Sequence, residues 1–279
     1  MHRRWPLVPI ILLLAAFGCL AQTPEQQQTM QQLRALSWQQ GPGAGQVGTQ
    51  ASIKVPAGYV FLNDADTAKF LKIMGNPPEP GYYTFAPKSL QWFAVFRFAS
   101  SGYVKDDEKI DPDALLKSLK ESDGPANEER RKLGFDQLTT EGWLVPPHYD
   151  AVTKRLEWGV RLRSGHGDQT INYTSRILGR TGVMEATLVS SPESVGADMD
   201  VFRGDLAGFS FNPGQTYAEF RSGDKVAEYG LGALVLGGAA AVAAKTGLLK
   251  SFGKLIWVGV LFVLGALGSI WKKITGRKD

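Results

Sequence analysis

A chain of 279 residues, 43 % of them hydrophobic, is long enough for one domain with a sizeable core and for apolar segments besides. Its net charge of +4 sits at the ends: residues 22–228 hold 22 Lys and Arg against 26 Asp and Glu, while residues 229–279 hold seven basic side chains and one acid. A mildly acidic body argues against a nucleic-acid-binding surface, and the lone cysteine, Cys19, lies outside that body, which excludes disulfides, Cys-ligated metals and a thiolate nucleophile from it.

The chain opens with a basic stretch containing Arg3 and Arg4, an unbroken apolar run over residues 10–17, and small residues at Cys19 and Ala21. These are the parts of a secretory signal, so residues 1–21 read as a signal peptide cleaved after Ala21. An uncleaved N-terminal anchor is the alternative; a lipoprotein signal is a poorer match, because Ala16-Phe17-Gly18-Cys19 departs from the usual pattern. Residues 22–48 read as a tether. Thr23-Pro24-Glu25 starts a short helix, and Gly41-Pro42-Gly43-Ala44-Gly45 breaks it as a flexible joint.

Residues 49–214 carry the signals of a soluble α+β domain. A helix over residues 64–74 stops at Gly75 with Pro77 beyond. Leu90, Trp92, Ala94, Phe96 and Phe98 alternate with a second set that includes Phe93 and Val95, which marks an inner strand buried on both faces. Asp111-Pro112-Asp113 caps a helix through Leu115, Leu116 and Leu119 that should break at Gly124-Pro125. At Val145-Pro146-Pro147 the chain should leave a ladder and bend. Leu156, Trp158, Val160 and Leu162 form one face of a half-buried strand. The Gly-rich turn at residues 164–168 returns the chain through Ile171, Tyr173 and Ile177, and Met184, Ala186 and Leu188 supply the next strand. Ser191-Pro192-Glu193 starts a last helix with Val195, Met199, Phe202 and Leu206 on one stripe. The fold class expected is α+β, an antiparallel sheet with helices on one face, followed by a C-terminal transmembrane helix or helical hairpin.

Residues 215–229 read as a juxtamembrane linker and residues 230–271 as hydrophobic membrane segments, with a basic tail over 272–279. The stretch 255–271 is the stronger span. At ~1.5 Å per residue it reaches roughly 25 Å, with Trp257 and Trp271 at the interfaces and Gly265 in a small-residue pair. The stretch 230–249 carries Ala233, Gly237 and Ala241 at a spacing that allows close helix packing. Its alternative is a helix buried in or lying on the domain. One span and two spans place the basic tail on opposite sides of the membrane, and the charges do not choose between them.

Candidate chemistry is sparse. His148 and Asp150 could form a base-and-orienter pair, set against a rigid bend with exposed polar residues. His166 and Asp168 sit in a turn whose composition is explained by hairpin geometry. Asp106, Asp107, Glu108, Asp111 and Asp113 lack the spacing of a calcium loop and suit the start of a helix. Arg161, Arg163 and Arg176 could line one sheet face. No cofactor or metal site is expected.

Gly142-Trp143, Pro146-Pro147-His148-Tyr149-Asp150 and Leu156-Glu157-Trp158, then Asn172-Tyr173, Leu178-Gly179-Arg180 and Gly182, and a closing run from Phe220 to Gly230 together resemble a bacterial family of predicted membrane-anchored proteins, the domain of unknown function 2167. The resemblance spans nearly all of the mature chain and implies location and architecture, with no established activity. The order of strands and helices is also similar to the small domains of extrinsic photosystem subunits, which implies a fold alone. The function expected is a membrane-anchored extracytoplasmic binding or scaffolding domain, on the inner membrane and facing the periplasm. Its expected partners are the membrane and envelope proteins, with no nucleic acid. The alternative is an envelope hydrolase using His148 and Asp150.

Overall fold

In a computed structural model, residues 24–237 are described. The expected signal peptide, the span at 255–271 with Trp257, Gly265 and Trp271, and the basic tail lie outside these residues.

Helix α1 (Pro24–Arg34) leads into β1 (Gln39–Gln40), β2 (Gly43–Val47), β3 (Ala51–Val55) and β4 (Tyr59–Leu62). Helix α2 (Asp64–Ile73) follows, then β5 (Tyr82–Pro87), β6 (Phe93–Ala99) and α3 (Pro112–Lys132). A four-strand meander comes next: β7 (Leu138–Asp150), β8 (Arg155–Ser164), β9 (Gln169–Leu178) and β10 (Val183–Ser190). Helix α4 (Val195–Asp205), β11 (Phe209–Phe211) and α5 (Leu231–Val235) complete the order. Eight strands form one sheet in the order β1-β4-β5-β6-β10-β9-β8-β7, and β11-β3-β2 form a second. All pairings within both sheets are antiparallel.

The α+β class and the antiparallel sheet stand, but the helices are not confined to one face. Phe93 and Val95 of β6 pack beneath α2 with Phe70 and Leu71, while Ala94 and Phe96 face α4 through Phe202. A central strand that is apolar on both sides needs two covers. On the second face that cover is α4 together with the small sheet, whose Val47, Ile53 and Val55 are fully buried.

Of the stretch 22–48 expected as a tether, the described part is packed on the domain from Leu33 onward. Leu33 and Leu36 pack in the cluster under α2, and Trp38 meets Phe70 edge-on at 5.7 Å. The glycines there serve close approach. A Cβ on Gly41 would collide with the Pro56 carbonyl, and one on Gly45 with the Phe61 ring.

The second departure is α3, which runs through Gly124 and Pro125. A proline inside a helix removes one hydrogen bond and costs ~3 kcal/mol. Side chains of the same helix tie it to the sheet on either side of Pro125. Asp123 accepts from both the backbone N–H and the hydroxyl of Thr140, each at 2.8 Å. Asn127 exchanges two hydrogen bonds with the Leu138 backbone, at 2.7 and 2.8 Å. Tertiary bonds thus hold a helix that local propensity would end.

The prolines of β7 do not turn the chain away either. β7 is the edge strand, and its register against β8 slips between Val145 and His148, so Pro146 and Pro147 pass where no ladder bond is required.

Residues 215–229 are likewise part of the domain. Tyr217 is buried, and its hydroxyl donates to the Val104 carbonyl at 3.0 Å. Val226 bridges Tyr103 in parallel. Arg180 forks onto Asp224 at 2.7 and 2.8 Å, joining two segments that are far apart in sequence. The Arg180 hydrogen bond holds the Asp224 carboxyl down at about 2. The first hydrophobic segment then begins inside the protein. Leu231, Leu234 and Val235 of α5 are buried against Leu156, Trp158 and Val160. This short helix ends at Val235, and Gly237 just beyond its cap has a left-handed φ of 99°, the usual conformation after a helix end. Among the described residues no helix is long and apolar enough to cross a membrane.

Candidate functional site

Strand periodicity builds a polar floor on the face that carries α2, α3 and α5. In β9, Ile171, Tyr173 and Ile177 point to one face, so Thr170, Asn172, Thr174 and Arg176 must share the other. All four of these polar residues are buried. Directly opposite pairs continue the pattern across neighbouring strands: Thr187 stands beside Thr174 on one side and Val95 on the other, and Trp158 completes that row. The next row runs Tyr82, Arg97, Glu185, Arg176, Leu156.

Above this floor lies a cavity of about 90 Å³. Leu119 of α3, Thr140 of β7 and Leu162 of β8 wall it, and Val235, Leu236 and Gly237 close the side where the described chain ends. Gly237, expected from its spacing to pack a membrane helix, instead stands at the rim of this cavity.

The floor is an ordered network. Arg176 pairs with Glu185 at 2.9 Å and lies over the Trp158 ring at 5.7 Å. Thr174 and Thr187 share a hydrogen bond at 3.1 Å. Arg97 donates to the Tyr82 hydroxyl at 3.1 Å, and burial raises that phenol above its ordinary range. The Nε–H of Arg176 is buried with no acceptor among the described residues. Glu79, in the loop before β5, has a buried Oε1 without a partner among the described residues. Burial pushes its carboxyl up to about 7, against the pull of Arg97 and with repulsion from Glu185.

The residues singled out from sequence lie elsewhere. His148 stands on the edge strand β7, half exposed, opposite Glu157 with Nε2 3.7 Å from Oε2. Asp150 caps the following turn instead. It accepts from the Val152 N–H at 2.8 Å and the Thr153 hydroxyl at 2.7 Å, and these hydrogen bonds, Thr153 first, lower its pKa. The base-and-orienter pair expected of a hydrolase is not assembled, because Asp150 is committed to local turn geometry.

His166 reaches Asp136 at 3.2 Å rather than Asp168. The acidic run divides its work. Asp106 accepts from Tyr149 and Lys154, Asp111 caps α3, and Glu108 accepts from the Gly232 N–H at 3.0 Å. Among the described residues no group of three or more potential ligands is placed to hold a metal. Nor do the three arginines share a face: Arg161 and Arg163 project from β8 on the side opposite Arg176. The sequence signal for the cavity floor was present in β9, where polar residues alternate with Ile171, Tyr173 and Ile177. Alternation alone does not tell a buried polar floor from a solvated face.

The family described as a protein of unknown function (DUF2167) matches residues 39–268, beginning at the residue that opens β1. The chain belongs to this family. Among curated proteins none matches it. One solved structure similar to this DUF2167 chain is the solution structure of cyanobacterial PsbP (CyanoP) from Synechocystis sp. PCC 6803. Identity is 10 %, with 60 % of this chain and 90 % of that chain covered, at a TM-score of 0.36. Two of the segments that carry the DUF2167 resemblance meet in space. Arg180 of one such segment is forked to Asp224 of another, and the Trp143 indole of a third donates to the Pro112 carbonyl of α3 at 3.0 Å.

Proposed function

We propose that this DUF2167 protein is a membrane-tethered, extracytoplasmic binding domain whose ligand enters the cavity above β9. The observation that carries the reading is the cavity itself. It has a buried, hydrogen-bonded polar floor, apolar walls, and one side formed by the residues that lead into the C-terminal hydrophobic segment. Concave apolar sites with a few convergent polar groups are the usual form of a small-ligand site. The basic start followed by an apolar run, and the apolar stretch at 255–271 with its flanking lysines, support export and anchoring in the inner membrane with the domain on the periplasmic side. The membrane and envelope proteins are its partners in this reading, and the acidic body supports no role for nucleic acid.

A photo-crosslinking amino acid placed at Leu119, on the cavity wall, and separately at Val152, a turn residue 91 % exposed, tests the reading in intact cells. An adduct that recurs from position 119 and is missing from position 152 is expected. Equal labelling at the two positions, or none at 119, would count against a site there.

A further inference from the structure

We propose that the cavity above β9 selects a small carboxylic acid, held by its carboxylate on Arg176 with a short apolar body against the cavity wall. The inference rests on the preceding reading of the domain as a binding module and names the class of ligand. Three observations carry it.

The first is the donor. Arg176 is 7 % exposed and lines the cavity. Its Nη1 is taken by Glu185, whereas its Nε–H, buried, has no acceptor among the described residues. Buried polar groups are nearly always hydrogen-bonded, and the Nε edge of a guanidinium matches the two oxygens of a carboxylate. The Trp158 ring beneath it and the Glu185 pair fix the guanidinium plane, so little side-chain freedom is lost on binding.

The second is the local charge. Glu185 stands in register directly between Arg97 and Arg176. One carboxylate therefore faces two guanidiniums, and the row has room for a second negative charge. Glu79, whose carboxyl burial raises to about 7, adds little opposing charge below that pH.

The third is size and lining. A cavity of about 90 Å³, at ~10–15 Å³ for each water-sized occupant, has room for roughly six to nine non-hydrogen atoms. Val95, Val160 and Leu162 offer the body of such a ligand an apolar wall, and Thr174 and Thr187 are already bonded to each other. A long polar ligand would leave its own groups unpaired there.

The test uses the full chain in neutral detergent micelles and calorimetric titration with three probes that share an isopropyl body: isobutyrate, isobutyramide and isobutylamine. Isobutyrate is expected to bind saturably. The amide should bind roughly tenfold more weakly or worse, as the loss of a charge-assisted hydrogen bond implies, and the amine should not bind. Arg176→Lys keeps a cation opposite Glu185 but loses the guanidinium edge. It should fold, as judged by its melt, and lose isobutyrate binding by about tenfold or more. Amide and acid binding alike, an unchanged affinity in Arg176→Lys, or no saturable heat with isobutyrate to tens of millimolar would each overturn the proposal. If the acid fails while the crosslink from position 119 persists, the binding-domain reading stands and the ligand class falls. If both fail, both fall.

Discussion

Folding takes the Glu79 carboxyl out of water, and this makes stability depend on pH near neutrality. The folded chain holds a proton on Glu79 up to about 7, whereas the unfolded chain releases it near the ordinary 4.5. Between those values the native state binds more protons, so the contribution of Glu79 is fully present below the lower value and lost as pH rises through the upper one. Asp224 behaves in the opposite sense. Arg180 holds its carboxyl at about 2, so its contribution is present above the ordinary 3.8 and disappears as pH falls toward 2. Glu79→Gln should therefore flatten the decline in stability between pH 5 and 8 while leaving the acid limb unchanged. Denaturant melts at a series of pH values would show it, and a parallel offset of the two curves at all pH values would contradict it. At this scale the sequence is least legible. Nothing in the order of residues distinguishes Glu79, or the polar members of β9, from solvated side chains, because burial is decided by elements distant in the chain, as α3 and α5 close the cavity over β9.

Elements are more legible than residues, and where the reading fails the causes are specific. The stop of α2 before Gly75, the cap of α3 at Asp111 and the hairpin between β8 and β9 follow from local chemistry, and they form as expected. The far half of α3 and the strands of residues 39–47 do not, since bonds to partners distant in sequence decide them. Pro125 supplies a measurement of that balance. It is exposed inside α3, so alanine there removes a helix penalty without emptying any packed space. Pro125→Ala should stabilise the domain by about 1–3 kcal/mol. A loss of stability in thermal or denaturant melts would mean that the proline sets the path of α3 over β7. His148→Ala should change stability by less than about 0.5 kcal/mol, as expected for a half-exposed side chain on an edge strand.

For the whole molecule, the domain does not stop where the polar stretch before the hydrophobic segment stops. Leu231, Leu234 and Val235 complete the core cluster that also contains Trp158 and Tyr217. Burying three such side chains is worth roughly 4–8 kcal/mol, a large share of the ~5–15 kcal/mol that holds a domain together. A chain ending at Gly237 should melt cooperatively. One ending at Tyr229 should melt early and over a broad range, or aggregate. Equal melting of the two would show that α5 is dispensable.

In the function proposed above, the domain stands outside the cytoplasm, tethered through the hydrophobic segment beyond α5. Spheroplast proteolysis with carbonate washing of the membranes, run on the full chain and on the chain ending at Gly237, tests this most directly. The full chain is expected in the washed membrane pellet and digested by external protease, and the shortened chain in the soluble periplasmic fraction. A full chain that washes off the membrane, or one that survives external protease until the cells are lysed, would contradict it.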